Sequence, residues 1–137
     1  MGATGSGVRL GNRLTPWAFA ALRLVAGAMF AMHGVQKILH FPPGSTAPQL
    51  GSQVWIGGVI ELVGGALIAI GLFARIAAFL ASGTMAVAYF QFHWKLALGG
   101  WKWLPGVNKG ELAALYCFVF LLVAAHGAGR LSIDRER

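Results

Sequence analysis

The chain has one cysteine in 137 residues, Cys117. A single thiol excludes an intrachain disulfide, a CxxC redox pair and an all-cysteine metal site. Charge is nearly as scarce, because 11% of the residues are Asp, Glu, Lys or Arg and only four are acidic. Set beside 57% hydrophobic residues, that places the chain outside the range of soluble domains and makes it a membrane protein of one domain. Several chemistries lack their motifs. There is no P-loop, no GxGxxG after a strand, no nucleophile elbow, no Glu-x-x-His pair for a di-metal site and no CxxCH for haem attachment. We expect no metal site and no cofactor intrinsic to the chain.

The net charge of +7 does not point to nucleic acid. The basic residues flank apolar runs and form no stripe interleaved with aromatics, so they read as topology signals and contacts to membrane lipids. Hydropathy gives four spans, about residues 16–39, 53–74, 76–92 and 110–127, between a polar N-terminal segment, 1–15, and a polar tail, 129–137. Nothing resembles the alternating short strands of a barrel. The expected fold is all-α, a polytopic antiparallel bundle of four transmembrane helices, with Arg75 alone between the second and third spans. The N-terminal stretch resembles a signal-peptide n-region, but the apolar run behind it is too long and contains Arg23, so we expect it to stay uncleaved.

Charge asymmetry orients the bundle. With the termini in the cytoplasm, Arg9, Arg13, Arg75, Arg130, Arg135 and Arg137 gather inside, against Lys37, Lys95, Lys102 and Lys109 outside. Trp94, Trp101 and Trp103 beside those lysines read as an outer interfacial belt. The expected location is the bacterial inner membrane.

The second span carries the anomaly. Its apolar run WIGGVIELVGGALIAIGLFA is broken by one charge, Glu61. A carboxylate at the centre of a transmembrane helix costs about 2.5–3.5 kcal/mol on insertion scales, so it should face protein or water and mark function. Gly57, Gly58, Glu61, Gly64, Gly65, Ile68 and Gly71 share one helical stripe, and Arg23, Gly27, Phe30, Gly34 and Lys37 share another on the first span. These two stripes are the expected helix–helix contact, and so many small residues would also allow a homodimer.

Counting about 1.5 Å per residue from the inner ends puts Arg23 roughly 9 Å deep, Tyr116 17 Å, Glu61 and Tyr89 19 Å and His33 24 Å. Gln36, Lys37, Gln91, His93 and Glu111 form the layer above. Polar groups of four spans thus collect in the outer half of the bundle as an expected pocket. The bland readings are interface lysines and histidines at water level, and Glu111 as an acid favoured at a helix start. They do not explain Glu61. We assign Glu61 as proton acceptor or hydrogen-bond anchor, Arg23 as its countercharge or an anion contact, and His33 as a proton relay. Gln36, Lys37, Tyr89, Gln91, His93, Glu111 and Tyr116 are the expected ligand contacts. Such a set suits a quinone headgroup, whose oxygens take up protons on reduction while its tail sits in lipid. It would also suit a proton-coupled carrier or a lipid-headgroup site.

Several segments together resemble the DoxX family of small bacterial membrane proteins: LRLVAGAMFAMHGVQKI, IELVGGALIAIGLFARIAAFLASGTMAVAYFQFH, NKGELAALY and GAGRLSID, covering about residues 20–134. The resemblance implies a four-helix membrane protein tied to quinone-linked oxidoreduction, either as a subunit of thiosulfate:quinone oxidoreductase or quinol oxidase assemblies or in catechol, quinone and thiol stress responses. By the match, Arg23, His33, Gly34, Gln36, Lys37, Glu61, Gly65, Arg75, Glu111 and Asp134 occupy the family's recurrent positions. The oxidoreductase role is inherited from those assemblies, since the chain has no redox centre of its own.

The expected function is therefore a membrane subunit, or partner of a redox protein, that binds a quinone or another lipophilic small molecule. Two rivals belong to other classes. A proton-coupled carrier would show flux in proteoliposomes, and a scaffold or assembly factor would bring down a stoichiometric partner.

Overall fold

In the computed structural model, residues 4–44 and 46–134 are described. The tail charges Arg135 and Arg137 lie outside them. All regular structure among the described residues is helical: α1 (Thr4–Ile38), α2 (Gln53–Ile70), α3 (Ala74–Trp94), a short α4 (Pro105–Asn108) and α5 (Glu111–His126). Three helices are long and apolar enough to cross a membrane: Leu10–Ile38 within α1, α2 and α3. At 16 residues, α5 is apolar but shorter.

Two expected boundaries move. The N-terminal segment is helical and continuous with the first span, since α1 starts at Thr4 and runs through Pro16. Proline removes the amide bond to the carbonyl four residues back, and here that carbonyl belongs to Asn12 on an exposed turn. The second boundary is the link between α2 and α3, which is not Arg75 but Gly71–Phe73. Gly71 adopts φ 68°, its amide bonds Ile68 O, and the Leu72 amide bonds Leu67 O, which makes a Schellman stop. A side chain is doubly barred at Gly71, since a Cβ there would meet Ser132 and lie 2.8 Å from Arg23 Nη1.

The helices run antiparallel in two close pairs, α1 with α2 and α3 with α5. The glycine stripes explain the first. A Cβ on Gly27 would lie 2.5 Å from Ala69 N, one on Gly34 would strike the Leu62 backbone, and one on Gly65 would lie 2.7 Å from Gly27 O. Backbone therefore packs on backbone, as small residues permit in a membrane. Alanines do the same for α3, where Ala74, Ala77, Ala78 and Ala81 are buried, and the Ser82 hydroxyl donates to Cys117 O at 2.8 Å. Between the pairs sit Phe30, Ile68, Phe120 and Val123, all fully buried.

Helix ends in an apolar core need partners for their free amides and carbonyls. At one end of the bundle the chain supplies them from distant residues. Arg75 donates to Ala124 O, Ala125 O and His126 O at the end of α5. The Asp134 carboxylate accepts from the amides of Phe73 and Ala74 at 3.0 and 2.9 Å, capping α3 from the tail. The tail backbone docks too, Ile133 N onto Ile70 O and Asp134 N onto Gly71 O. Asp134→Ala should therefore cost about 1 kcal/mol, the usual worth of an N-cap, read as a lower unfolding midpoint in detergent.

Candidate functional site

Glu61 sits on a π-helical turn, Ile60–Gly64, inside α2. A π turn inserts one residue into the helix and shifts the register of faces on either side, and such turns recur at functional sites. Just before this turn, the glycines of the stripe divide between two faces. Gly58 faces α1, where a Cβ would lie 2.9 Å from Lys37 Cβ, whereas Gly57 faces open space. Glu61 itself is 4% exposed.

The cation at Glu61 is Lys37. Its Nζ donates to Glu61 Oε1 at 2.6 Å, from the last turn of α1. Arg23, expected as the countercharge, is engaged elsewhere: Nη1 donates to Ile68 O and Ala69 O at 2.6 and 2.7 Å, and Nη2 donates to Arg130 O and Leu131 O at 3.1 and 2.7 Å. The countercharge assignment is thus corrected: the height difference of about 10 Å is not bridged, because backbone carbonyls at its own level take the guanidinium. Arg23, completely buried, ties the end of α2 to the tail and has no geometric link to Glu61.

Beside the ion pair lies a cavity of about 790 Å³ bounded by α1, α2, α3 and the start of α5. His33, Lys37, Glu61, His93 and Tyr116 are among its polar lining, and Phe30, Ile60, Met85 and Leu112 are among its apolar lining. His33 stands edge-on to the Tyr116 ring at 6.4 Å, and Tyr116 stacks on Phe120 at 5.3 Å. Two buried polar atoms on this wall, Glu61 Oε2 and Tyr116 OH, have no hydrogen-bond partner among the described residues. Buried polar groups are normally satisfied, so two orphans on one cavity ask for a partner chemistry. A ligand hydroxyl can supply it, donating to the carboxylate and accepting from the tyrosine, whereas a carbonyl can meet only the tyrosine.

Other expected contacts go to different work. Tyr89 is not on the cavity wall; its hydroxyl donates to Trp103 O and accepts from Asn108 Nδ2 at 3.2 Å. Asn108 in turn bonds Lys102 O and the Gly110 amide, so this cluster folds the loop between α3 and α5. Equal height along the bundle does not fix which way a side chain points. Gln91 is exposed and pairs with Gln53, which does line the cavity. Gln36 and Glu111 are exposed and lie off the cavity wall. Residues not expected as ligand contacts also line it: Gln53, Thr84, Lys109 and the glycines Gly57 and Gly83. Gln53 and Lys109 had a signal, since each flanks a span boundary; Gly57 was read from the sequence only as part of the packing stripe, and Gly83 had no signal. No group of three or more His, Cys, Asp or Glu converges to hold a metal among the described residues.

The DoxX family model matches residues 18–94, more than half of the chain and all of the Lys37–Glu61 contact. The chain belongs to the DoxX family. An uncharacterized protein of Haemophilus influenzae is 41% identical over 128 residues, covering 91% of this chain and 94% of its own. No solved structure matches. The family match of this DoxX protein ends with α3, so Tyr116 and Asp134 lie outside it, while the Haemophilus relative spans nearly the full length. Apolar helices and family together make it a membrane protein.

Proposed function

We propose that this DoxX protein binds a lipophilic small molecule, a quinone-type compound in its hydroxyl-bearing quinol form among the best fits, in the cavity beside Glu61. The observation that carries the reading is the pair of buried, unpartnered atoms, Glu61 Oε2 and Tyr116 OH, on an otherwise largely apolar wall. Ligand sites are usually of this kind, mostly apolar with a few convergent polar groups. In this reading all four apolar helices cross a bacterial inner membrane, α5 extended by the turn before it, with both termini cytoplasmic and the Trp and Lys residues near the outer surface. The chain acts as a subunit or partner of a quinone-linked oxidoreductase that supplies the redox centre. Lys37 holds Glu61 in place, and His33 and Tyr116 are the groups able to exchange protons with the ligand's oxygens.

Gly57→Leu tests it. Position 57 faces open cavity, so a larger side chain fills space without a clash and improves helix propensity. Protein purified from native membranes should yield one lipophilic compound on solvent extraction and mass spectrometry, and the Gly57→Leu protein should fold as well and yield little of it. Equal yields from the two proteins, or bulk phospholipid alone from both, would count against the proposal.

A further inference from the structure

We infer that the cavity fills sideways from the bilayer, between α2 and α3, with a molecule whose hydroxyl group donates to Glu61 Oε2. The inference rests on the reading of the cavity as a lipophile site.

The route follows from where the helices part. Beyond the Gly71–Phe73 turn, α3 packs on the inner half of α2, but the outer segment Gln53–Val59 leans on α1 and has no comparable packing with α3. The cavity occupies that divergence. Its rim on α3 is Phe79, Leu80, Gly83 and Val87, and on α2 it is Ile56 and Gly57. Most of these are exposed apolar side chains within membrane-length helices, so hydrocarbon, not water, lies at this mouth. A Cβ at Gly83 would meet nothing within 4 Å, which leaves the gap open in the middle of the rim. At the outer end the gap is bridged instead, by the Gln53–Gln91 amide pair, with His93 and Lys109 beside it. A molecule dissolved in the bilayer meets the wide side; one in water meets the bridged one.

The hydroxyl follows from the ion pair. Lys37 occupies Glu61 Oε1, and the carboxylate's second oxygen, on a residue 4% exposed, can only accept a hydrogen bond. Tyr116 OH, on a residue 5% exposed, can donate. An alcohol or phenol can both donate to Glu61 and accept from Tyr116. A ketone, quinone carbonyl or ether can accept from Tyr116 but leaves the carboxylate unmet, and that mismatch costs more than about tenfold in affinity.

Binding of radiolabelled 4-decylphenol and of its methyl ether to the full chain in phosphatidylcholine nanodiscs separates these points. Wild type should prefer the phenol by about tenfold or more. Glu61→Gln, whose amide can donate as well as accept, should reduce that preference to near parity, and Tyr116→Phe, which removes an orphan hydroxyl without opening a cavity, should weaken phenol binding several-fold. Gly83→Phe should slow association of both compounds by about tenfold by obstructing the mouth. Equal affinity for phenol and ether in wild type, unchanged in Glu61→Gln, overturns the hydroxyl assignment and leaves the cavity as a lipophile site. Wild-type association rates in Gly83→Phe overturn the lateral route. Binding of neither compound by any of these proteins, all with wild-type thermal unfolding, overturns the lipophile site and the inference together.

Discussion

Replacing Arg23 with Met should cost this protein at least about 4 kcal/mol, enough to leave little folded material in mild detergent. The guanidinium is completely buried and donates four hydrogen bonds to carbonyls of two separate segments, the last turn of α2 and the tail at Arg130 and Leu131. Methionine fills much of the volume and none of the bonds, so one buried and three part-buried carbonyls lose a charged donor, each bond of that kind worth about 1.5–3 kcal/mol, with the sum reduced by solvent access and partial collapse. The helix dipole adds to the loss, since Ile68 and Ala69 lie at a helix C-terminus that favours a cation. Arg23→Lys should recover less than half, because one ammonium cannot bridge two pairs of carbonyls as a planar fork does. Tryptophan-fluorescence unfolding in detergent reads both variants. A stable Arg23→Met protein would show that the tail and the end of α2 are held by something other than this residue.

Lys37→Met should cost about 3–5 kcal/mol, because it leaves Glu61 as an uncompensated charge inside the bundle. The ion pair at 2.6 Å is the one contact that satisfies the carboxylate, and the other oxygen has no partner among the described residues. Adding Glu61→Gln to Lys37→Met removes the stranded charge and should restore most of the stability. That recovery separates a buried charge pair from a lysine that merely packs through its chain against Gly58. If the double variant unfolds as early as the single one, Lys37 acts through packing and the ion pair contributes little.

Glu61 was legible because hydropathy makes a charge in an apolar run conspicuous, and the glycine spacing around it correctly pointed to the helix that covers it. Membership in the DoxX family was legible too, from the order of four short segments. The partner of Glu61 was harder: height along the bundle placed Lys37 only in the layer above, and a lysine reaches a layer with its four-carbon chain. Arg23 shows the converse. It resembled a site residue because it is a buried charge, yet its partners are backbone carbonyls, which no side-chain pattern displays. Asp134 is similar, since a cap supplied from the far end of the chain leaves no local signature. The π turn at Glu61 escaped because the residues of one wide turn read the same as those of an α turn. Tyr89 was misdirected for a simpler reason, that periodicity gives the height of a residue more securely than its azimuth near a helix end.

The claim that ties these features together is that a molecule from the bilayer lies against Glu61. An experimental density map of the protein purified from native membranes tests it most directly. We predict elongated non-protein density that enters between α2 and α3 past Gly83 and ends within hydrogen-bonding distance of Glu61 Oε2 and Tyr116 OH. A map in which side chains close that gap, or in which the two atoms bond each other or protein groups across a collapsed cavity, would contradict it.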